Sequence, residues 1–157
     1  MSYRRLAAYL VALALAGCGS ATDELTFKVP AGYVSSLSVG PFVQIWKGPR
    51  PHTALMLMAL PTKASLKDIQ SNADVKDAQI VSQSNIRICG DQPARYVSLV
   101  GEHTGVDTGS SDRVKEQVDM VATYVNSKTY MGIYARPVGS PVDAAAESAI
   151  HDLCPKT

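Results

Sequence analysis

The chain has 157 residues, 46% of them hydrophobic, with 15 Lys and Arg against 14 Asp and Glu. That length supports one domain with a real core but not two. The even balance of charge, without a long run of either sign, excludes the basic face that nucleic-acid phosphates require. The first segment in chain order is a leader: Arg4 and Arg5 precede Leu6 to Ala16, eleven residues that are apolar apart from the Tyr9 hydroxyl. A helix needs about 20 residues to cross a hydrocarbon core of ~30 Å, so this run reads as an export signal rather than a membrane span.

The leader ends Leu15-Ala16-Gly17-Cys18, which resembles the bacterial lipobox. The resemblance implies that Cys18 is lipidated through its sulfur and that residues 1–17 are removed. An ordinary secretory signal is one alternative, and a buried helix that ends in Gly-Cys is another. Acyl chains on Cys18 would hold the protein on a membrane, since two or three chains anchor stably where one binds only marginally. Gly19 in place of an aspartate implies the outer membrane, facing the periplasm, if the organism has two membranes. On this reading residues 18–24 are a lipidated tether and 25–157 a single globular domain. The mature 140 residues carry 13 basic and 14 acidic groups. The first expected partner is therefore the membrane of a bacterial cell envelope, reached through Cys18.

Beyond the tether, Leu25 to Val29 alternates apolar and polar residues and is a strand stopped by Pro30-Ala31-Gly32. Tyr33–Val39 and Phe42–Lys47 are two more strands separated by Gly40-Pro41. Gly48-Pro49-Arg50-Pro51 must be a loop, because proline lacks the ladder donor. Thr53–Leu60 is apolar enough for a central strand buried on both faces. Ser65 to Ala73 is a first helix, capped by Ser65, with Leu66, Ile69 and Ala73 on one face. Ala78–Ile88 and Ala94–Glu102 are strands, and the glycine-rich Gly101–Asp112 is a loop. Val114–Val125 and Thr129–Arg136 form a hairpin turning at Asn126-Ser127-Lys128. A last helix has Ser140 as cap, Pro141 as first residue and Asp143 in its first turn, and Pro155 ends it. The fold class expected is α+β: a largely antiparallel sheet of six or seven strands covered by two helices.

With Cys18 assigned to lipid, Cys89 and Cys154 remain as an even pair, and two exported thiols usually oxidise. The closed loop of about 65 residues is worth about 4 kcal/mol in the chain-entropy model. A metal or catalytic thiol is the alternative, disfavoured because His151 stands alone near Cys154. His52, His103 and His151 are scattered, and only Glu102, His103 and Asp107 suggest a ligand group. Met56 and Met58 share a strand face and read as core rather than copper ligands. Neither a Gly-x-Ser-x-Gly elbow nor a phosphate or dinucleotide loop occurs, so no cofactor, metal site or catalytic residue is assigned.

Seven tyrosines stand against two Phe and one Trp. Tyr96, Tyr124, Tyr130 and Tyr134 fall on predicted strands, and Tyr130 and Tyr134 share a face on either side of Gly132. They are the candidate binding surface, with packing at the rim of the sheet as the alternative. Finally, Phe27-Lys28-Val29-Pro30-Ala31-Gly32-Tyr33 resembles the opening strand of PsbP-like domains, Phe-x-x-Pro-x-Gly followed by an aromatic. The order of later elements agrees. The resemblance implies an α/β/α sandwich with an antiparallel central sheet, serving as an accessory or binding protein rather than an enzyme. The expected function is thus a lipid-anchored, non-catalytic envelope protein whose partner is another envelope protein or a small ligand. A ligand or lipid carrier with a pocket between sheet and helix, and a hydrolase with an unfamiliar site, are the alternatives.

Overall fold

A computed structural model describes residues 21–65, 76–104 and 113–156. Cys18, Asp107 and the stretch assigned to the first helix beyond Ser65 lie outside them. The described chain starts with a 3-10 turn, Ala21–Glu24, followed by β1, Leu25–Thr26. The succeeding strands are β2 (Val34–Val39), β3 (Val43–Lys47), β4 (Ala54–Leu60), β5 (Lys76–Ile88), β6 (Gln92–Thr104), β7 (Arg113–Val125) and β8 (Lys128–Pro137). Helix α1, Ala144–His151, and the short β9, Cys154–Pro155, complete the chain. Strands β2 to β8 form one seven-stranded sheet in the order β2-β3-β4-β8-β7-β6-β5. Every neighbouring pair in it is antiparallel. β1 pairs with β9 in a separate ladder, Leu25 opposite Pro155.

The expected cover of two helices is corrected. Among the described residues α1 is the single α-helix, and the architecture is a mostly-β antiparallel sheet carrying that helix. Strand length is one reason for the shift towards β. β5, β6 and β7 each run 13 residues, beyond the apolar stretches that mark them in the sequence. Gly101 lies inside the ladder, opposite Glu116, although its neighbours read as loop. Backbone pairing between adjacent strands continues wherever a partner is in register, whatever the side chains prefer.

Local chemistry explains other boundaries. The β7–β8 hairpin turns on Asn126 and Ser127, both at positive φ (49° and 66°). That is the two-residue turn matching the twist of flanking strands, and it leaves Lys128 in β8 opposite Val125. At α1 the cap is Asp143, not Ser140: Asp143 Oδ1 accepts from the amides of Ala145 and Ala146. Ser140 instead donates its hydroxyl to the Pro137 carbonyl, closing the preceding turn.

Register assigns the two faces of the sheet. Leu55, Leu57, Ala59, Tyr130, Gly132, Tyr134, Val121, Tyr96 and Ala94 are linked by direct cross-strand or two-residue steps and share the face that carries α1. Ala146, Ile150 and Leu153 close over that face, with Leu25, Tyr33 and Trp46 at its margins. Phe27 stacks on Trp46 at 5.6 Å between ring centres. The opposite face carries Ile45, Val97, Leu99, Met120 and Met131, also buried, so the sheet is apolar on both sides as the β4 sequence suggests.

Candidate functional site

The four candidate tyrosines do not share one surface. Tyr130 and Tyr134 point at α1 and are 6% and 0% exposed. The gap at Gly132 is filled from within: a Cβ there would stand 3.2 Å from Ile150 Cβ. Tyr96 lies on the same face, half-buried, its ring 5.3 Å from that of His151. Tyr124 projects from the other face and is exposed, with Lys63 Nζ 5.4 Å from its ring centre.

Around the buried rings the sequence places polar groups that single-residue patterns do not reveal. Asp119 stands midway along β7, opposite Ser98 on β6 and Tyr134 on β8. Tyr96 donates its hydroxyl to Asp119 Oδ1 at 3.0 Å, and the Arg136 guanidinium lies 3.6 Å from Asp119 Oδ2. Gln117 donates to Ser98 Oγ at 3.0 Å. Beside this row, Tyr33 donates to Asp143 Oδ2 at 3.2 Å, and the Asp143 amide donates to the Tyr134 hydroxyl at 3.0 Å. Asp143 therefore caps α1 and joins it to both β8 and the loop before β2. The clue in the sequence was an acid at a helix-facing position of an apolar strand, visible only once the register is known.

A second cluster fastens the start of the described chain. Lys128 donates to Glu24 Oε1 at 2.7 Å and the Tyr130 hydroxyl to Glu24 Oε2 at 2.9 Å. The Lys156 amide donates to the Glu24 carbonyl at 2.9 Å, next to the β1–β9 ladder.

These surroundings set the acidity of the phenols. Burial, reinforced by the Asp143 carboxylate, pushes the Tyr33 hydroxyl far above the ordinary tyrosine range. Burial and then Asp119 raise Tyr96. Burial and the bond to Glu24 take Tyr130 up to about 12. All three stay protonated donors at neutral pH. The hydrogen bond from Lys128 outweighs burial at Glu24 and holds its carboxyl below 4.5.

Cys89 and Cys154 form the disulfide expected from the sequence, with Cα atoms 5.4 Å apart. It ties the β5–β6 turn to β9. An open groove of about 850 Å³ lies on the face away from α1. It lies over the Arg87, Arg95 and Tyr124 positions, not between sheet and helix. Among the described residues no group of three or more His, Cys, Asp or Glu is gathered as a metal would need, and the side chain of His103 is outside the described set.

No family model matches the sequence, and no curated protein matches it. Solved structures do. The solution structure of cyanobacterial PsbP (CyanoP) from Synechocystis sp. PCC 6803 matches with a TM-score of 0.57 at 11% identity, over 88% of this chain and 90% of that one. A crystal structure from Bacteroides thetaiotaomicron VPI-5482 matches with a TM-score of 0.52 at 13% identity, over 90% of this chain. This chain spans about half, 48%, of that longer one. The likeness is one of fold: the domain has the fold of cyanobacterial PsbP.

Proposed function

We propose that this PsbP-like domain is a non-catalytic accessory or binding protein of the bacterial cell envelope, held on a membrane by acyl chains on Cys18. The observation that carries the non-catalytic reading is the use made of the polar groups beneath α1. Asp143 and Asp119 already accept from structural donors, and the phenols beside them are held protonated. General acid–base turnover wants a group able to exchange a proton near neutral pH; here Asp143 instead fixes the helix to the sheet, and Asp119 joins neighbouring strands beneath it. The fold supports an accessory role through its resemblance to PsbP-like proteins. The Cys89–Cys154 bond supports an oxidising compartment, where such bridges persist. The Leu15-Ala16-Gly17-Cys18 ending supports the lipid anchor and, with Gly19, an outer-membrane site facing the periplasm in a two-membrane organism.

A second reading, capture of a small ligand, is favoured by the groove on the face away from α1. The anchor itself is tested by Cys18→Ser in a bacterial host. The unaltered protein should enter the detergent phase and carry the mass of an acylated cysteine. The variant should keep its leader at that site and lack the lipid. A Cys18→Ser protein that matures to the same mass and still partitions into detergent overturns the lipoprotein reading.

A further inference from the structure

The groove on the far face is built from two cross-strand rows. Asn85, Arg95 and Ala122 lie side by side across β5, β6 and β7, and the next row on that face is Arg87, Pro93, Tyr124 and Thr129. One wall is the segment after β4, pinned in place by Thr129. The Thr129 hydroxyl donates to the Thr62 carbonyl at 2.8 Å and accepts from the Ala64 amide at 3.0 Å. That pinning sets Lys63 over the Tyr124 ring.

Among the described residues the lining contains Lys63, Arg87 and Arg95 but neither an aspartate nor a glutamate. In a chain whose charges nearly cancel, three cations around one hollow are a local excess. Their contacts leave the charge in place. Arg95 donates to the neutral Gln83 side-chain oxygen, and Lys63 sits on a ring. Arg87 meets Asp91 at 2.8 Å, but both side chains are well exposed, at 61% and 89%, where such a pair is weak and easily exchanged. Arg87 and Arg95 are diagonal neighbours on one face, about 7–8 Å apart, close enough for two guanidinium forks to meet on one small anion. Between them and Lys63 the floor is apolar: Pro93, Ala122 and the Tyr124 ring.

We propose that this groove binds a phosphate-bearing amphiphile, with Arg87 and Arg95 on the phosphate, Lys63 beside it, and the apolar body lying on Tyr124 and Pro93. Arginine suits this chemistry because its planar donors pair bidentately with phosphate oxygens, and the size of the hollow is that of a small-molecule site. The inference rests on the reading of the chain as a binding protein and not on its lipid anchor. Phosphate of this kind comes either from a lipid headgroup or from a free phosphorylated molecule.

Calorimetric titration of the full chain in neutral detergent separates these sources. The probes are short-chain phosphatidylglycerol, glycerol phosphate and inorganic phosphate, with short-chain phosphatidylcholine as the zwitterionic comparison. Saturable binding of phosphatidylglycerol with weak or undetectable binding of the two soluble phosphates identifies a lipid headgroup. Comparable binding of glycerol phosphate, which has no apolar body, leaves a free phosphate ligand and overturns the amphiphile. In either case Arg87→Gln with Arg95→Gln should weaken binding by about tenfold or more, since charge-assisted bonds are lost, and added salt should weaken it too. Tyr124→Ala should weaken the lipid more than inorganic phosphate. Circular dichroism checks that the variants stay folded, as the exposure of these side chains leads one to expect. The absence of saturable binding of any phosphate probe, equal binding of phosphatidylcholine, or binding unchanged in the folded double-arginine variant overturns the proposal. The Cys18→Ser outcome is independent of all of these.

Discussion

Tyr130 shows how a single side chain can be mistaken for a surface feature. Its ring belongs to the core under α1, while its hydroxyl reaches the far margin to hold Glu24. The phenol is raised from 10.0 to about 12, so the protonated form is the one that folding favours. The stability this contributes is complete below about pH 10 and is lost as pH rises towards about 12. Glu24 acts in the opposite sense. Its carboxyl is held below 4.5, so its contribution is present above that pH and lost as pH falls through the lowered value. Phenolate absorbance across an alkaline titration should therefore show a late step that loses one tyrosine's share in Tyr130→Phe, the raised phenols of Tyr33 and Tyr96 keeping theirs. Glu24→Gln should flatten the small loss of melting temperature on the acid side. A Tyr130→Phe titration with the late step intact would place that step on another tyrosine and remove this account.

At the scale of elements, the approach of α1 to β8 depends on the missing side chain of Gly132. A Cβ there would lie 3.2 Å from both Cβ and Cγ2 of Ile150 and 3.3 Å from its Cα. Because the last contact is backbone, the helix itself must shift. Gly132→Ala should cost about 1–3 kcal/mol, the usual range for overpacking a filled core. Denaturant unfolding measures this, and a change within experimental error would mean that α1 floats on the sheet. Alternation and turn residues made the strands readable, since period two and the pairs Gly40-Pro41 and Asn126-Ser127 leave few alternatives. Pairing across strands was not readable. Without the register of β7 on β8, Asp119 looks like one polar residue among several, and Tyr124 looks equivalent to Tyr130. The cap of α1 was misplaced at Ser140 for another reason: Ser140 and Asp143 both carry acceptors, and Asp143 is the one that Tyr33 and Tyr134 bond to from outside the helix.

Across the whole molecule, the start of the domain and its last residues converge. Leu25 pairs with Pro155, Lys156 bonds to Glu24, and Cys154 in the same short strand is joined to Cys89. Two-residue ladders are too short to persist alone, so the convergence depends on the covalent link, on Glu24 and on Leu25 and Leu153 in the core. The disulfide spans a sequence separation of 65, a loop long enough that opening it returns much freedom to the unfolded chain. Cys89→Ala should lower the unfolding free energy by about 2–5 kcal/mol. Its local effect distinguishes it from general weakening. Hydrogen exchange should speed up first at Leu25, Thr26, Cys154 and Lys156, while the amides of β4 and β8 in the middle of the sheet stay protected until global unfolding. If the variant instead loses protection uniformly, the β1–β9 closure is part of the main cooperative unit. The bridge would then stabilise the domain as a whole rather than fastening the Glu24–Thr26 segment to the Cys154–Lys156 segment.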